Sequence, residues 1–111
     1  MIEGVTDFAI FLIDAAGRIV SWNPGAERLL GYAEAEISGK HYSCLFTPED
    51  ALRGEPEQEL RTALHAGRSE DVRWHVRKDG TRLWGDGVVT SLKDDDGNVR
   101  CFAKLLRDRT D

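Results

Sequence analysis

The chain has little of what usually announces a chemistry. Its 111 residues include two cysteines, Cys44 and Cys101, with no C-x-x-C spacing. They read as reduced, buried small residues of a cytoplasmic protein rather than as a disulfide or a metal pair. No apolar run approaches the roughly 18 residues that a spanning helix needs. The run Phe8–Ile13 is too short, and it lacks the basic flank and cleavage site of a signal peptide. The formal net charge is −5, with both signs spread along the chain and no basic patch, so nucleic acid and anionic membrane are poor partners. There is no G-x-x-x-x-G-K-[ST], G-x-S-x-G or H-E-x-x-H, and His41, His65 and His75 are far apart. Catalysis by this chain alone is not expected, and no catalytic or metal-ligating residue is named.

What is present is one domain's worth of strands and short helices. Asp14-Ala15-Ala16-Gly17 is a turn, with Gly17 the site for positive φ, between the apolar run Phe8–Ile13 and the β-branched and aromatic run Arg18–Trp22. These two are expected to form a first hairpin, with Phe8–Ile13 covered on both faces. Asn23-Pro24 reads as a helix cap and first position; Ala26, Leu29 and Leu30 give the apolar stripe, and Gly31 ends it after about two turns. Ala33–Ile37 is a second short helix, His41–Phe46 is ambiguous, and Thr47-Pro48-Glu49-Asp50 starts another helix, with Asp50 placed to reach back. Gly54-Glu55-Pro56 interrupts it. A longer helix follows, with Leu60, Ala63 and Leu64 as its buried stripe, Glu57 and Glu59 near its positive end, His65 near its negative end and Gly67 as its stop. The remainder is strand: Val72–Arg77, Thr81–Leu92 and Val99–Arg107, joined by turns at Lys78-Asp79-Gly80 and Asp94–Asn98. Two strands, several helices and three strands predict an α+β domain. It has a single five-stranded antiparallel sheet, with several short helices and one longer helix packed on one face.

The ordered blocks D-x-x-G-x-I-x-x-W-N-P and A-E-R-L-L-G-Y within Phe8–Tyr32, then W-H-V-R-K-D-G-T-R-L-W at Trp74–Trp84, resemble a PAS sensor domain over nearly the whole chain. The resemblance implies the same α+β architecture, with the last strand beside the first hairpin. It divides the chain into a connector at residues 1–7, the domain at 8–109 and, at 110–111, the start of a linker to an absent output domain. Arg107-Asp108-Arg109-Thr110 is similar to the D-x-T signature that leads into an output helix. Asp108 would pair with a basic group there and Thr110 would cap the next helix.

Gly85 and Gly87 stand on one face of a strand and omit two side chains there. A ligand must fill that gap, or a large side chain such as Phe11, Leu60 or Leu64. In light-sensing relatives the matching positions, and that of His75, line a flavin pocket, so the resemblance places His75 inward, against simple polarity. The pocket candidates are Phe11, Ile13, Leu60, Leu64, His75, Gly85 and Gly87. Flavin and haem are both open as cofactors, and neither has its motif. The photoreactive cysteine of light-oxygen-voltage domains lies in G-x-N-C-R-F-L-Q, whereas Gly39–Phe46 here reads G-K-H-Y-S-C-L-F, with Cys44 displaced. The axial histidine of haem-binding relatives matches Glu57. His65 lies two turns later, where a surface role is simpler, and His41 has no accompanying motif.

Alternation puts Trp84, Asp86 and Val88 on the opposite face, and Trp74 lies near Trp84 across the hairpin. Trp74, Trp84 and Val88 are therefore candidates for a homodimer or flanking-helix interface. The resulting expectation is a cytoplasmic sensory and dimerisation module of a bacterial signalling protein, such as a histidine kinase, a chemotaxis regulator or a cyclic-dinucleotide enzyme. It would pass a conformational signal to a downstream effector, with or without a small-molecule ligand. The alternative is a flavin- or haem-bound redox or gas sensor.

Overall fold

Asp14 shapes the first reversal of the chain. Its Oδ1 accepts the N–H groups of Ala16 and Arg18, both at 2.9 Å, and Gly17 supplies the φ of +85° that the turn requires. The computed structural model describes residues 8–109. The expected connector at 1–7, and Thr110 with the start of the expected linker at 110–111, lie outside the described residues.

Ahead of the turn runs β1 (Phe8–Asp14). After it, the expected strand Arg18–Trp22 does not form. Val20 N–H donates to the Leu12 carbonyl at 2.9 Å, as a hairpin requires. The N–H of Leu12, however, goes to Ser21 Oγ at 3.0 Å, and that of Ile10 to Asn23 Oδ1 at 2.9 Å. Ile19 turns its own N–H to Lys40 O at 2.9 Å and accepts Gly39 N–H at 2.8 Å. Side chains and a neighbouring loop thus take the hydrogen bonds that a strand ladder would use, leaving an isolated Ile13–Ile19 bridge.

The later strands are β2 (Arg68–Val76), β3 (Arg82–Lys93) and β4 (Val99–Asp108). Among the described residues the sheet therefore has four strands, not five, all antiparallel in the order β1-β4-β3-β2. In the β3–β4 turn, Asp94 Oδ1 accepts the N–H groups of Asp96 and Asn98 at 2.9 and 3.0 Å.

The helices are α1 (Pro24–Leu30), α2 (Glu34–Ile37), α3 (Pro48–Leu52) and α4 (Glu55–Ala66). Asn23 Oδ1 caps α1 through Ala26 N–H at 2.8 Å, and Thr47 Oγ1 caps α3 through Asp50 N–H at 3.1 Å. Asp50 does not reach back as expected, because its carboxylate is taken by Arg53 and Arg73. The ambiguous segment contains a short 3-10 helix, Tyr42–Leu45. The turn after β2 is tied to the end of α1, since Lys78 N–H and Arg77 Nε donate to Leu30 O and Leu29 O at 2.8 and 3.1 Å.

These helices cover one face of the sheet, so β1 alternates instead of being covered on both faces. Ala9, Phe11 and Ile13 are buried, whereas Ile10 is 48% exposed. Tilted and edge-on aromatic contacts run through the core from Trp22 to Phe11, Tyr42, Phe46 and His75, with ring centroids 4.8 to 6.1 Å apart. α4 differs from its expected orientation. Pro56, Glu59 and Ala63 face inward and Leu60 is half-buried, while Leu64 is exposed. The helix is turned by what Glu59 meets beneath it.

Candidate functional site

The register of β3 against β4 sets Gly85 and Gly87 opposite Asp108 and Leu106, with Lys104 two pairs further along opposite Val89. On the inner face the space the glycines leave is occupied. A Cβ at Gly85 would stand 2.8 Å from Leu106 Cδ1, and one at Gly87 would stand 2.7 Å from Lys104 Cε and 2.9 Å from its Nζ. The gap is thus filled from the adjacent strand and not by Phe11, Leu60 or Leu64 from across the core. Only a residue without a Cβ at position 87 lets the Lys104 side chain lie flat over β3.

Lys104 is fully buried, and its ammonium ends between two carboxylates: Asp71 Oδ1 from β2 at 3.1 Å and Glu59 Oε1 from α4 at 3.2 Å. Tyr42 donates its hydroxyl to Glu59 Oε1 at 2.7 Å, and its ring lies 5.5 Å from Lys104 Nζ. Arg73 closes the outer side. Its Nε donates to Asp71 Oδ2 at 2.6 Å, and its terminal nitrogens lie 3.3 Å from Asp50 and 3.5 Å from Glu55. The same Nε is 2.9 Å from Glu59 Oε2, but its single hydrogen points to Asp71, so Glu59 Oε2 gains charge contact without a hydrogen bond.

Burial works to raise both carboxyl groups. For Glu59 it outweighs the Lys104 ammonium, and the pKa is raised. For Asp71 it is overcome by the Lys104 charge, with the neighbouring Glu59 carboxyl and Arg73 adding to it, and the pKa is lowered. Burial, reinforced by the charges of Glu59 and Asp71, pushes the Tyr42 phenol well up, so it acts as a neutral donor.

His75 points inward, 1% exposed, with Trp74 outward. Its Nδ1 lies 2.9 Å from the Leu45 carbonyl, which can only accept, so the proton is on Nδ1. Nε2 has no hydrogen-bond partner among the described residues and stands 4.0 Å from Asp71 Oδ2. Burial, followed by the Lys104 charge, pushes the His75 pKa down to about 3, leaving the ring neutral.

The structure brings His75, Gly85 and Gly87 together on the inner face, with Phe11 beside Lys104 in the β1–β4 register. Ile13 pairs with Phe102 further along. Leu64 faces away from the sheet, as 45% of its surface is exposed, and it takes no part in the chamber. Glu59, Asp71, Lys104, Arg73 and Tyr42 were absent from the sequence candidates. A signal for them exists: Lys104 shares the inward parity of Phe102 and Leu106, as Asp71 and Arg73 share that of His75.

On the outer face Trp74 and Trp84 pair across the β2–β3 hairpin, with ring centroids 5.1 Å apart. Phe8, Val72, Val88, Leu105, Asp86 and Arg107, from all four strands, help line an open groove of about 550 Å³ on the same face. Asp86 is held by Arg107 at 3.0 Å and Arg109 at 3.4 Å. Asp108 is the last residue of β4, opposite Gly85.

The inner face of the sheet thus closes over a buried ionic cluster beneath short helices, while the outer face carries exposed apolar side chains among charged ones. The profile of the PAS domain family matches residues 7–111, and the chain belongs to that family. A PAS domain is a sensory module and is not catalytic on its own. The chain is 40% identical, over its whole length, to the Two-component system protein A of Emericella nidulans (strain FGSC A4), of which it spans 16%. In fold it is similar to the PAS domain of a protein from Colwellia psychrerythraea, with a TM-score of 0.87 and 22% identity over 98% of this chain and 92% of that one. It is also similar to the blue-light photoreceptor Aureochrome1 LOV in its light state, with a TM-score of 0.77 and 25% identity over 93% of this chain and 82% of that one. No described helix is long and apolar enough to cross a membrane.

Proposed function

We propose that this PAS domain is the sensory and dimerisation module of a two-component signalling protein, passing a conformational signal along β4 to an effector that follows it. The observation that carries the reading is the position of β4. Its inward Lys104 is the centre of the buried ionic cluster, its outward Leu105 lies in the apolar face, and its end holds the junction residue Asp108. A change in the core is therefore felt by the interface and by the output end of one strand. The 40%-identical Two-component system protein A supports the signalling setting, though not a bacterial source. A histidine kinase is the effector class this setting favours.

The homodimer reading rests on the outer face, where Ile10, Val72, Trp74 and Leu105 are between 39% and 49% exposed. Trp74, Trp84 and Val88 would lie in the interface, with Asp86 and its arginines at its edge. Sedimentation equilibrium over a concentration series tests it. A mass that rises to that of a dimer in the native protein, and not in Trp74→Arg, supports the reading; a monomer throughout contradicts it. A visible absorption spectrum of gently purified protein addresses the cofactor alternative. Lys104 and Leu106 fill the place over Gly85 and Gly87, which favours a colourless protein; a flavin or Soret band would instead favour the cofactor-bound sensor.

A further inference from the structure

The buried lysine is built like a bound ligand. Its ammonium has two carboxylate acceptors, at 3.1 and 3.2 Å, from two different elements, and an aromatic ring 5.5 Å away. Its Cε and Nζ lie where Gly87 omits a side chain, and Leu106 fills the place over Gly85, so the chamber is a narrow slot, too tight at Cε for even one added carbon on Gly87. Beside it, His75 Nε2 is buried and unpartnered among the described residues, 4.0 Å from Asp71, which keeps that side polar. Arg73 donates to the other oxygen of Asp71 and lies 2.9 Å from the other oxygen of Glu59, so one oxygen of each carboxylate faces the cation.

We propose that this chamber is a primary-ammonium site whose resident ligand is the protein's own Lys104, and that a small linear alkylammonium takes that place when the side chain is cut back. The geometry sets the class. A primary ammonium offers three donors on a thin chain, whereas a quaternary or branched cation does not fit the slot over Gly87, and a neutral alcohol leaves both carboxylates without a counter-charge. Lys104 is in β4, so displacement of its ammonium acts directly on the strand that leads to Asp108.

Lys104→Ala removes three methylenes and the ammonium, and propylammonium supplies those atoms. A ligand of four heavy atoms binds no more tightly than about tens of micromolar, so the titration runs into tens of millimolar. The expected result is a rise of several degrees in the thermal midpoint of Lys104→Ala with propylammonium chloride. Sodium chloride, tetramethylammonium chloride and 1-propanol should give no such rise, nor should propylammonium with the native protein. Equal shifts with propylammonium and sodium chloride, or with 1-propanol, would overturn the proposal.

Should Lys104→Ala fail to fold alone, refolding in propylammonium should restore its near-ultraviolet tryptophan signal; failure of that rescue counts against the site. Lys104→Met fills the slot without charge and gives a separate reading. It should ignore propylammonium and, relative to the native protein, gain stability on acidification as Glu59 and Asp71 take up the proton that replaces the ammonium. A Met variant with the native pH dependence would show that the ammonium is not what these carboxylates bind.

Discussion

Lowering the pH from 7 to about 4.5 should weaken the fold through one residue, His75. In the unfolded chain its imidazole titrates near 6.5; in the fold, burial and the Lys104 charge push it down to about 3. Between those values the unfolded state binds a proton that the folded state refuses, so stability is full above pH 6.5 and falls as the pH drops towards 3. Near pH 4.5 the loss attributable to His75 comes to about 2–3 kcal/mol, a large share of a small domain's stability. The carboxylates differ in sign and window. Asp71, held low, withdraws its contribution only as the pH falls towards its depressed folded value. Glu59, held high, favours the fold at acid pH and loses that contribution as the pH rises through its folded value. His75→Gln keeps a donor for the Leu45 carbonyl, 2.9 Å from Nδ1 in the native protein, and does not titrate. Urea unfolding of both proteins at the two pH values isolates the histidine, because the carboxylates are common to both. The native protein should lose about 2–3 kcal/mol more than the variant on acidification. Equal losses would refute the buried, neutral His75.

Two further substitutions test other parts of the structure. Gly87→Ala puts a Cβ 2.7 Å from Lys104 Cε and 3.2 Å from the Leu105 carbonyl, so the lysine must shift away from its carboxylates. A loss of about 1–3 kcal/mol in urea unfolding is expected, despite alanine's better backbone propensity. Asn23→Ala removes the α1 cap at Ala26, the acceptor for Ile10 N–H and the donor to Phe8 O, at 2.8, 2.9 and 3.2 Å. It should cost about 2 kcal/mol and lower hydrogen-exchange protection at Ile10 first.

Local chemistry was legible in the chain; long-range partners were not. Asn23-Pro24 and Thr47-Pro48 marked helix starts because an oxygen acceptor followed by proline satisfies the first turn wherever it stands. Asp14–Gly17 and Asp94–Asn98 marked turns for the same local reason. Arg18–Trp22 had strand composition, yet Ser21 and Asn23 captured the β1 amides, a competition that β-propensity does not register. The orientation of β2 runs against hydropathy: Trp74 outside and His75 inside follow from the pairing of Phe46 with His75, and only family resemblance anticipated them. The glycines of β3 signalled a gap correctly. Its fillers were sought across the core, whereas Leu106 and Lys104 come from the next strand, the lysine with acceptors that the tertiary fold alone assembles. Leu64 followed helical periodicity and still faces out, because Glu59 turns α4 towards the lysine.

The core chamber of this PAS domain is closed by its own charged lysine. Proton and nitrogen NMR of the lysine side chains tests this most directly. One slowly exchanging ammonium resonance is expected, assigned to Lys104, with nuclear Overhauser contacts from its ε-protons to the α-protons of Gly87 and from its chain to the Tyr42 ring. A Lys104 ammonium that exchanges as fast as those of the surface lysines and shows neither contact would contradict it.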